Sequence, residues 1–140
     1  MYRLRNDSGS LDQLTSDDGT SSFEIQQKFN NLTSTEDLEY EEDQKWRGRF
    51  YVTKALGHGI SAPNIRVVDI IQGDIFLLTS DGIHDNLTNS EIVSIISGPG
   101  TNESKAKALV QKAWDTGHVG KEVNFRSKKD DMTAIVFTYN

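Results

Sequence analysis

The feature that most constrains this chain is a five-residue apolar run, Ile75-Phe76-Leu77-Leu78-Thr79, that stops abruptly at Ser80-Asp81-Gly82. A run this short and this apolar, bounded by turn residues, reads as a strand buried on both faces; a helix would need more length. It therefore requires a sheet around it. Upstream, Ile65-Arg66-Val67-Val68-Asp69-Ile70-Ile71 is β-branched and partly alternating, and Gln72-Gly73-Asp74 between the two runs has turn chemistry. The two runs predict a hairpin. Downstream, Met132 to Thr138 is a further apolar strand, preceded by Lys129-Asp130-Asp131.

The rest of the chain supplies partners for these strands. Residues 2–5 and 11–14 alternate apolar and polar around Asn6-Asp7-Ser8-Gly9-Ser10, which predicts another hairpin. From residue 16 to 49 the composition shifts. Six of the eight residues from Glu36 to Asp43 are acidic, and Phe23, Ile25 and Phe29 are sparse, so this stretch predicts one or two short surface helices in a mobile, acidic, helical excursion. Phe50-Tyr51-Val52 has strand character and leads into Thr53-Lys54-Ala55-Leu56-Gly57. Thr88-Asn89-Ser90-Glu91 has the capping-box form, Ile92, Val93, Ile95 and Ile96 follow as an apolar face, and Gly98-Pro99-Gly100 ends that helix. A second helix is expected from about Asn102 to Thr116, with Ala106, Leu109, Val110, Ala113 and Trp114 facing inward and Gly117 as its stop. Gly120 to Lys129 reads as a polar, basic loop. There is no internal repeat. Strands, then helices, then a strand in a single domain of 140 residues predict an α+β architecture with antiparallel pairing.

Composition narrows the function classes. Fifteen Lys and Arg against 21 Asp and Glu give a net charge of −6, which argues against a nucleic-acid partner, whose phosphates need a basic footprint. No stretch approaches the roughly 18 apolar residues of a membrane span. Met1-Tyr2-Arg3-Leu4-Arg5 has no apolar signal segment, and there is no cysteine, so disulfides, thiolate nucleophiles and cysteine-based zinc sites are excluded together. Sequons such as those at Asn31, Asn86 and Asn102 are expected to be coincidental in a chain read as cytoplasmic.

Two corners then carry the chemistry. Ser80-Asp81-Gly82 follows the most apolar strand and Lys129-Asp130-Asp131 precedes the last one. If those strands are antiparallel neighbours, Asp81 and Asp130 converge at one rim of the sheet. Converging carboxylates resist ionisation unless a cation sits between them, and oxygen ligands without His or Cys favour Mg²⁺ or Mn²⁺ over zinc. Asp-Gly is also a common turn pair, and Asp beside Lys at a strand end is ordinary surface chemistry. Taken by themselves, the residues leave both readings open.

The words around these corners resemble a known family. Thr53-Lys54-Ala55-Leu56-Gly57, then Gly73-Asp74, then Leu77-Leu78-Thr79-Ser80-Asp81-Gly82-Ile83-His84-Asp85 is similar to the T-R-A-L-G, G-D and L-L-x-S-D-G-L-x-D words of PPM-type (type 2C) metal-dependent protein serine/threonine phosphatases. Ala108-Leu109-Val110-Gln111-Lys112-Ala113 with Gly117 resembles that family's A-x-x-L-V-x-x-A-x-x-x-G, and Asp130-Asp131-Met132-Thr133-Ala134-Ile135-Val136 its closing D-[ND]-x-T-x-[IV]-[VI]. Tyr2-Arg3-Leu4-Arg5 followed by Leu14-Thr15 is similar to the strand pair that ends in L-T-x-D-H. The resemblance runs from about Tyr2 to Phe137.

It implies an antiparallel β-sandwich flanked by helices, and hydrolysis of phosphoserine and phosphothreonine in a phosphorylated protein by a water activated between two Mg²⁺ or Mn²⁺ ions. Asp81 and Asp130 take the positions of metal ligands. Asp131 stands where Asn or Asp is usual and is not expected to be a ligand, and His84 is expected to be a neutral surface histidine. No catalytic residue beyond the metal ligands is identified.

The departures are equally specific. The family's D-G-x-G-G loop, its first-half Glu ligand and its phosphate-binding Arg have no counterpart: the Asp-Gly pairs are Asp18-Gly19 and Asp81-Gly82, and neither continues as x-Gly-Gly. Leu14-Thr15-Ser16-Asp17-Asp18 also lacks the His of L-T-x-D-H. The chain thus resembles the C-terminal half of the family, an incomplete fold lacking the N-terminal strands. A phosphatase fragment or one piece of a split enzyme, a non-catalytic pseudophosphatase-like binding module, and an unrelated small metal- or phosphate-binding domain are the three readings. A sheet cut at Tyr2 is expected to leave an open edge and an apolar face, favouring a complementing N-terminal half or self-association, with marginal stability for the isolated chain.

Overall fold

Four residues with alternating sides, Tyr2 to Arg5, cannot bury a face alone, and the chain answers by folding Tyr2–Leu4 (β1) against Leu11–Gln13 (β2) as the expected hairpin. The computed structural model describes residues 1–19, 21–49, 51–55, 57 and 65–140. Along it follow Phe23–Asn30 (α1), a 3-10 turn at Thr35–Asp37, Tyr40–Arg47 (α2), Ile75–Thr79 (β3), Asp81–His84 (α3), Asn89–Ser97 (α4), Asn102–His118 (α5) and Ala134–Thr138 (β4). The four strands make one antiparallel sheet in the order β2-β1-β3-β4.

Register decides which side chains meet. Tyr2 stands opposite Leu77, which stands opposite Val136, so the three share one face. On that face they join Leu4, Ile83, Leu87, Ile92, Ile96, Leu109 and Ala113 in the main core. Helices α3, α4 and α5 supply its other wall. Full burial of each large aliphatic there contributes about 1.5–3 kcal/mol. The capping box is present as expected: the Thr88 hydroxyl accepts the Glu91 N–H at 3.3 Å and the Glu91 carboxylate accepts the Thr88 N–H at 2.9 Å.

The turn before β3 shows why Gly73-Asp74 is written as it is. Gly73 has φ +91°, a left-handed conformation that glycine adopts without a steric penalty. Asp74 is buried, and its carboxylate accepts N–H bonds from Asn6 (2.9 Å) and Ile71 (3.2 Å), tying this turn to the first hairpin.

Several expectations need correction. The hairpin of Ile65–Ile71 with β3 does not form, because both edges of β3 are already occupied by β1 and β4. Residues 65–71 instead run without regular structure, and Ile65 and Val67 are 82% and 96% exposed. Nor is β3 buried on both faces: Leu78 is exposed on the side away from the helices, with Ile135 and Phe137 of β4. Phe76 stacks on Phe137 there, ring centroids 4.9 Å apart. Helix α5 continues through Gly117 to His118, so Gly117 is a packing residue and not the stop, and Trp114 is half exposed. The strand reading of Phe50–Val52 falls partly outside the described residues; Val52 makes a single bridge with Gly19. Leu56 and the loop through Pro63 also lie outside them.

The helical excursion forms as two short helices, but its apolar residues are not surface. Phe29, Leu32 and Trp46 make a second small core with Ile25, Leu38 and Phe125, and Phe29 meets Trp46 edge-on at 5.2 Å. The loop from Gly120 to Lys129, read as polar and basic, is likewise not all surface: Arg126 and Ser127 are buried. Arg126 is the joint between the two cores. Its guanidinium donates to the carbonyls of Phe29 (2.9 Å) and Leu32 (3.3 Å) at and just beyond the end of α1, and to those of His84 (2.9 Å) and Leu87 (3.1 Å) at and just beyond the end of α3. Carbonyls past a helix C-terminus lack intrahelical partners, and a planar cation satisfies two such ends at once.

Candidate functional site

The antiparallel pairing of β3 with β4 runs to Thr79 opposite Ala134, so the residues just beyond, Ser80-Asp81-Gly82 and Asp130-Asp131, meet at one rim. Ser80 stitches the corner: its N–H donates to the Thr133 carbonyl (3.0 Å), its hydroxyl donates to the Asp131 carbonyl (3.1 Å), and the Thr133 N–H donates back to that hydroxyl (3.0 Å). Gly82 is required by close approach. A Cβ there would collide with the Asp131 carbonyl oxygen and stand 3.2 Å from the Asp130 Cβ.

Asp81 and Asp130, the two expected ligands, are therefore brought together, and a third carboxylate, Asp85, joins them from the end of α3. What sits between them is Lys128. Its Nζ lies 2.8 Å from Asp81, 2.7 Å from Asp85 and 3.0 Å from Asp130. Burial would lower the Lys128 pKa, but Asp85 and the hydrogen bonds to the three carboxylates outweigh it and hold the ammonium charged, well above the usual range. Asp81 is partly desolvated, and Lys128 more than offsets that, keeping its carboxyl below the usual range.

The Lys128 main chain is fixed as firmly as its side chain. The Asn86 amide donates to the Lys128 carbonyl (2.9 Å) and accepts from the Lys128 N–H (2.9 Å), while also donating to the Gly82 carbonyl (2.8 Å). Asn86 is 1% exposed, which removes it as a glycan acceptor. A Cβ on Gly117 would stand 2.9 Å from the Lys128 carbonyl oxygen, so α5 packs directly on this loop.

Beside the corner opens a cavity of about 420 Å³, lined among others by Asp17, Arg49, Lys54, Thr79, Asp81 and Asp85. Arg49 approaches Asp85 at 3.5 Å and lies 4.1 Å over the Trp46 ring. His84 is not the surface residue expected. It is buried, its Nδ1 is 3.2 Å from the Thr79 hydroxyl and its Nε2 3.4 Å from the Asp17 carboxylate. Burial disfavours its charge, but Asp17, Asp85 and Asp81 together raise its pKa. Sequence reasoning missed Lys128, Asn86, Arg49 and Asp17. Asp17 and Arg49 reach the site through the excursion, and no spacing rule ties residue 17 to residue 84. The one signal for Lys128 was its place two residues before Asp130.

No family model matches the chain. Among curated proteins it is similar to Probable protein phosphatase 2C 38 of Oryza sativa subsp. japonica, 37% identical over 81 residues, which is 55% of this chain and 16% of that protein. Probable protein phosphatase 2C 28 of Arabidopsis thaliana is 32% identical over 99 residues, 66% of this chain and 26% of that protein. Among solved structures, the Mycobacterium tuberculosis serine/threonine phosphatase PstP/Ppp superposes with a TM-score of 0.70 at 23% identity, over 99% of this chain and 50% of that one. The PPM Ser-Thr phosphatase MsPP from Mycobacterium smegmatis, in complex with cacodylate, gives 0.67 at 24%, over 99% and 51%. The catalytic domain of PstP with two manganese ions gives 0.64 at 22%, over 99% and 49%.

These structures carry the α+β fold of a PPM-type phosphatase, with an antiparallel sheet and helices. The sequence likeness points the same way: the curated relatives are named protein phosphatase 2C, in agreement with the resemblance to the PPM-type (type 2C) phosphatase family. The chain spans about half the length of the solved neighbours and matches about a quarter or less of the curated relatives.

The family implies a metal, and the corner answers only in part. Three carboxylates are the right donors for a hard divalent ion. Yet Lys128 holds the position between them, and among the described residues no three His, Cys, Asp or Glu are placed to hold an ion. As arranged, these residues do not fit a metal.

Proposed function

We propose that this chain is part of a PPM-type protein serine/threonine phosphatase domain directed at phosphoserine and phosphothreonine in proteins, and that taken alone it does not hydrolyse them. The observation that carries this is the meeting of the Ser80-Asp81-Gly82 and Asp130-Asp131 corners at one sheet rim, in a chain with the family's fold. Two carboxylates at this rim serve a phosphatase only if the remaining ligands and the group that binds the phosphoryl oxygens come from elsewhere. A complementing half that supplies them, or a second copy, is part of the same proposal, as are Mg²⁺ or Mn²⁺ as the ion that Asp81 and Asp130 would hold once Lys128 is displaced, and a cytoplasmic setting. No helix among the described residues is long and apolar enough to cross a membrane.

A second reading, a non-catalytic pseudophosphatase-like binding module, is favoured by the Lys128 ammonium itself, which neutralises the corner without a metal. The two readings separate in one assay: hydrolysis of a phosphothreonine peptide across a range of MnCl₂, by the chain alone and after addition of a PPM-type N-terminal half. The first predicts no turnover by the chain alone and turnover on complementation, abolished by Asp81→Asn and by Asp130→Asn. Absence of turnover in the complemented sample, with both pieces folded and associated, would contradict it and leave the binding module.

A further inference from the structure

Lys128 ends between three carboxylates, and the elements around it hold it there. Its Nζ is within 3.0 Å of Asp81, Asp85 and Asp130. Both polar atoms of its main chain are taken by the Asn86 amide, a side chain with no water access. The preceding residue, Ser127, is buried and its hydroxyl donates to the Gly117 carbonyl at 3.0 Å, so the loop cannot slide along α5. Gly117 has no room for a side chain against the Lys128 carbonyl. A surface lysine that happens to lean on a carboxylate has none of these supports.

We propose that Lys128 is a built-in counter-ion: its ammonium takes the place of a divalent ion among Asp81, Asp85 and Asp130, and excludes one from it. This rests on reading the corner as the family's metal corner. The exclusion is geometric and electrostatic. An Mg²⁺ ion needs these oxygens at about 2.0–2.1 Å, inside the space that an ammonium fills when it bonds to all three. Ammonium and ion cannot share that space, and their like charges repel at such range. Asp85 gains a second cation at the same oxygen, since the Arg49 Nε is 3.5 Å from the Oδ2 that Lys128 also contacts. The three carboxylates are thus compensated by the chain's own side chains, and metal entry requires Lys128 to swing out.

The test is Mn²⁺ binding, followed by the electron paramagnetic resonance signal of free Mn²⁺ and by thermal denaturation with and without MnCl₂. The chain is compared with Lys128→Met and with the double variant Lys128→Met/Asp130→Asn. Lys128→Met is expected to bind Mn²⁺ at least about tenfold more tightly than the unaltered chain, a difference of about 1.4 kcal/mol. Its melting temperature alone should rise with MnCl₂, since only it gains a ligand on folding. The double variant should lose both gains. Equal affinity of the unaltered chain and Lys128→Met, whether tight or undetectable, overturns the proposal, as does a gain that survives in the double variant. Should Lys128→Met fail to fold, the Lys128 ammonium protons are followed by NMR in the unaltered chain. A slowly exchanging ammonium signal that persists in millimolar MgCl₂ supports the proposal, and its absence, or its loss on adding MgCl₂, overturns it. None of these readouts involves phosphate hydrolysis, so this inference and the phosphatase reading fail separately.

Discussion

At the scale of single residues, the side chains that matter most are charged ones placed where charge is costly. Arg126 donates to four carbonyls around two helix ends from a buried position. Removing it leaves the Leu32, His84 and Leu87 carbonyls without their guanidinium donor, so Arg126→Leu is expected to cost about 3 kcal/mol or more in urea denaturation. Arg126→Lys should recover little, because an ammonium cannot span both helix ends as a planar fork does. His84 makes a pH prediction. Its pKa is raised in the folded state above 6.5, so its pairing with Asp17 stabilises the fold fully below that pH and is lost as pH rises through the folded value. Melting temperatures from pH 6 to 9 should therefore fall more steeply in the unaltered chain than in His84→Gln; parallel curves would contradict this.

At the scale of elements, local chemistry and long-range pairing had unequal visibility. The hairpin of β1 and β2, the capped start of α4 and the strand Ala134–Thr138 were legible, because each rests on neighbours within a few residues. Asp81 and Asp130 were legible as a pair because each stands beside an apolar strand. The reading of Ile65–Ile71 as a hairpin arm used the same local rule and failed, since whether β3 has a free edge depends on residues 2–4 and 134–138. Lys128, Asp85 and Asp17 were not legible as a cluster for the same reason: their meeting is a consequence of the packing of α3, α5 and the loop. The excursion shows the converse error, acidic composition hiding a real core. Trp46→Ala should cost roughly 3–5 kcal/mol locally. Hydrogen exchange should then rise across α1 and α2 while the sheet stays protected; uniform loss of protection would mean that the two cores are a single cooperative unit.

At the scale of the whole molecule, the sheet is covered by helices on one face and only partly covered on the other. Leu78, Ile135 and Phe137 are exposed there, and Ile65, Val67, Ile70 and Ile71 are exposed nearby in sequence to β3. A patch of this kind recruits a partner or another copy. Light scattering on the purified chain should show a mass that rises with concentration, and Ile135→Lys should shift it toward the monomer. A concentration-independent monomer would show that this face tolerates water.

The account turns on the two motif corners meeting through Lys128. The most direct measurement is a double-mutant cycle in folding stability between Lys128→Met and Asp81→Asn, residues far apart in the chain that touch only if the rim closes as described. The expected coupling is about 1 kcal/mol, favourable and weakened by salt, as for a partly exposed pair that shares its lysine with two other carboxylates. A coupling of zero, with both single variants folded, would contradict the account, because the ammonium would then not be held between the carboxylates at all.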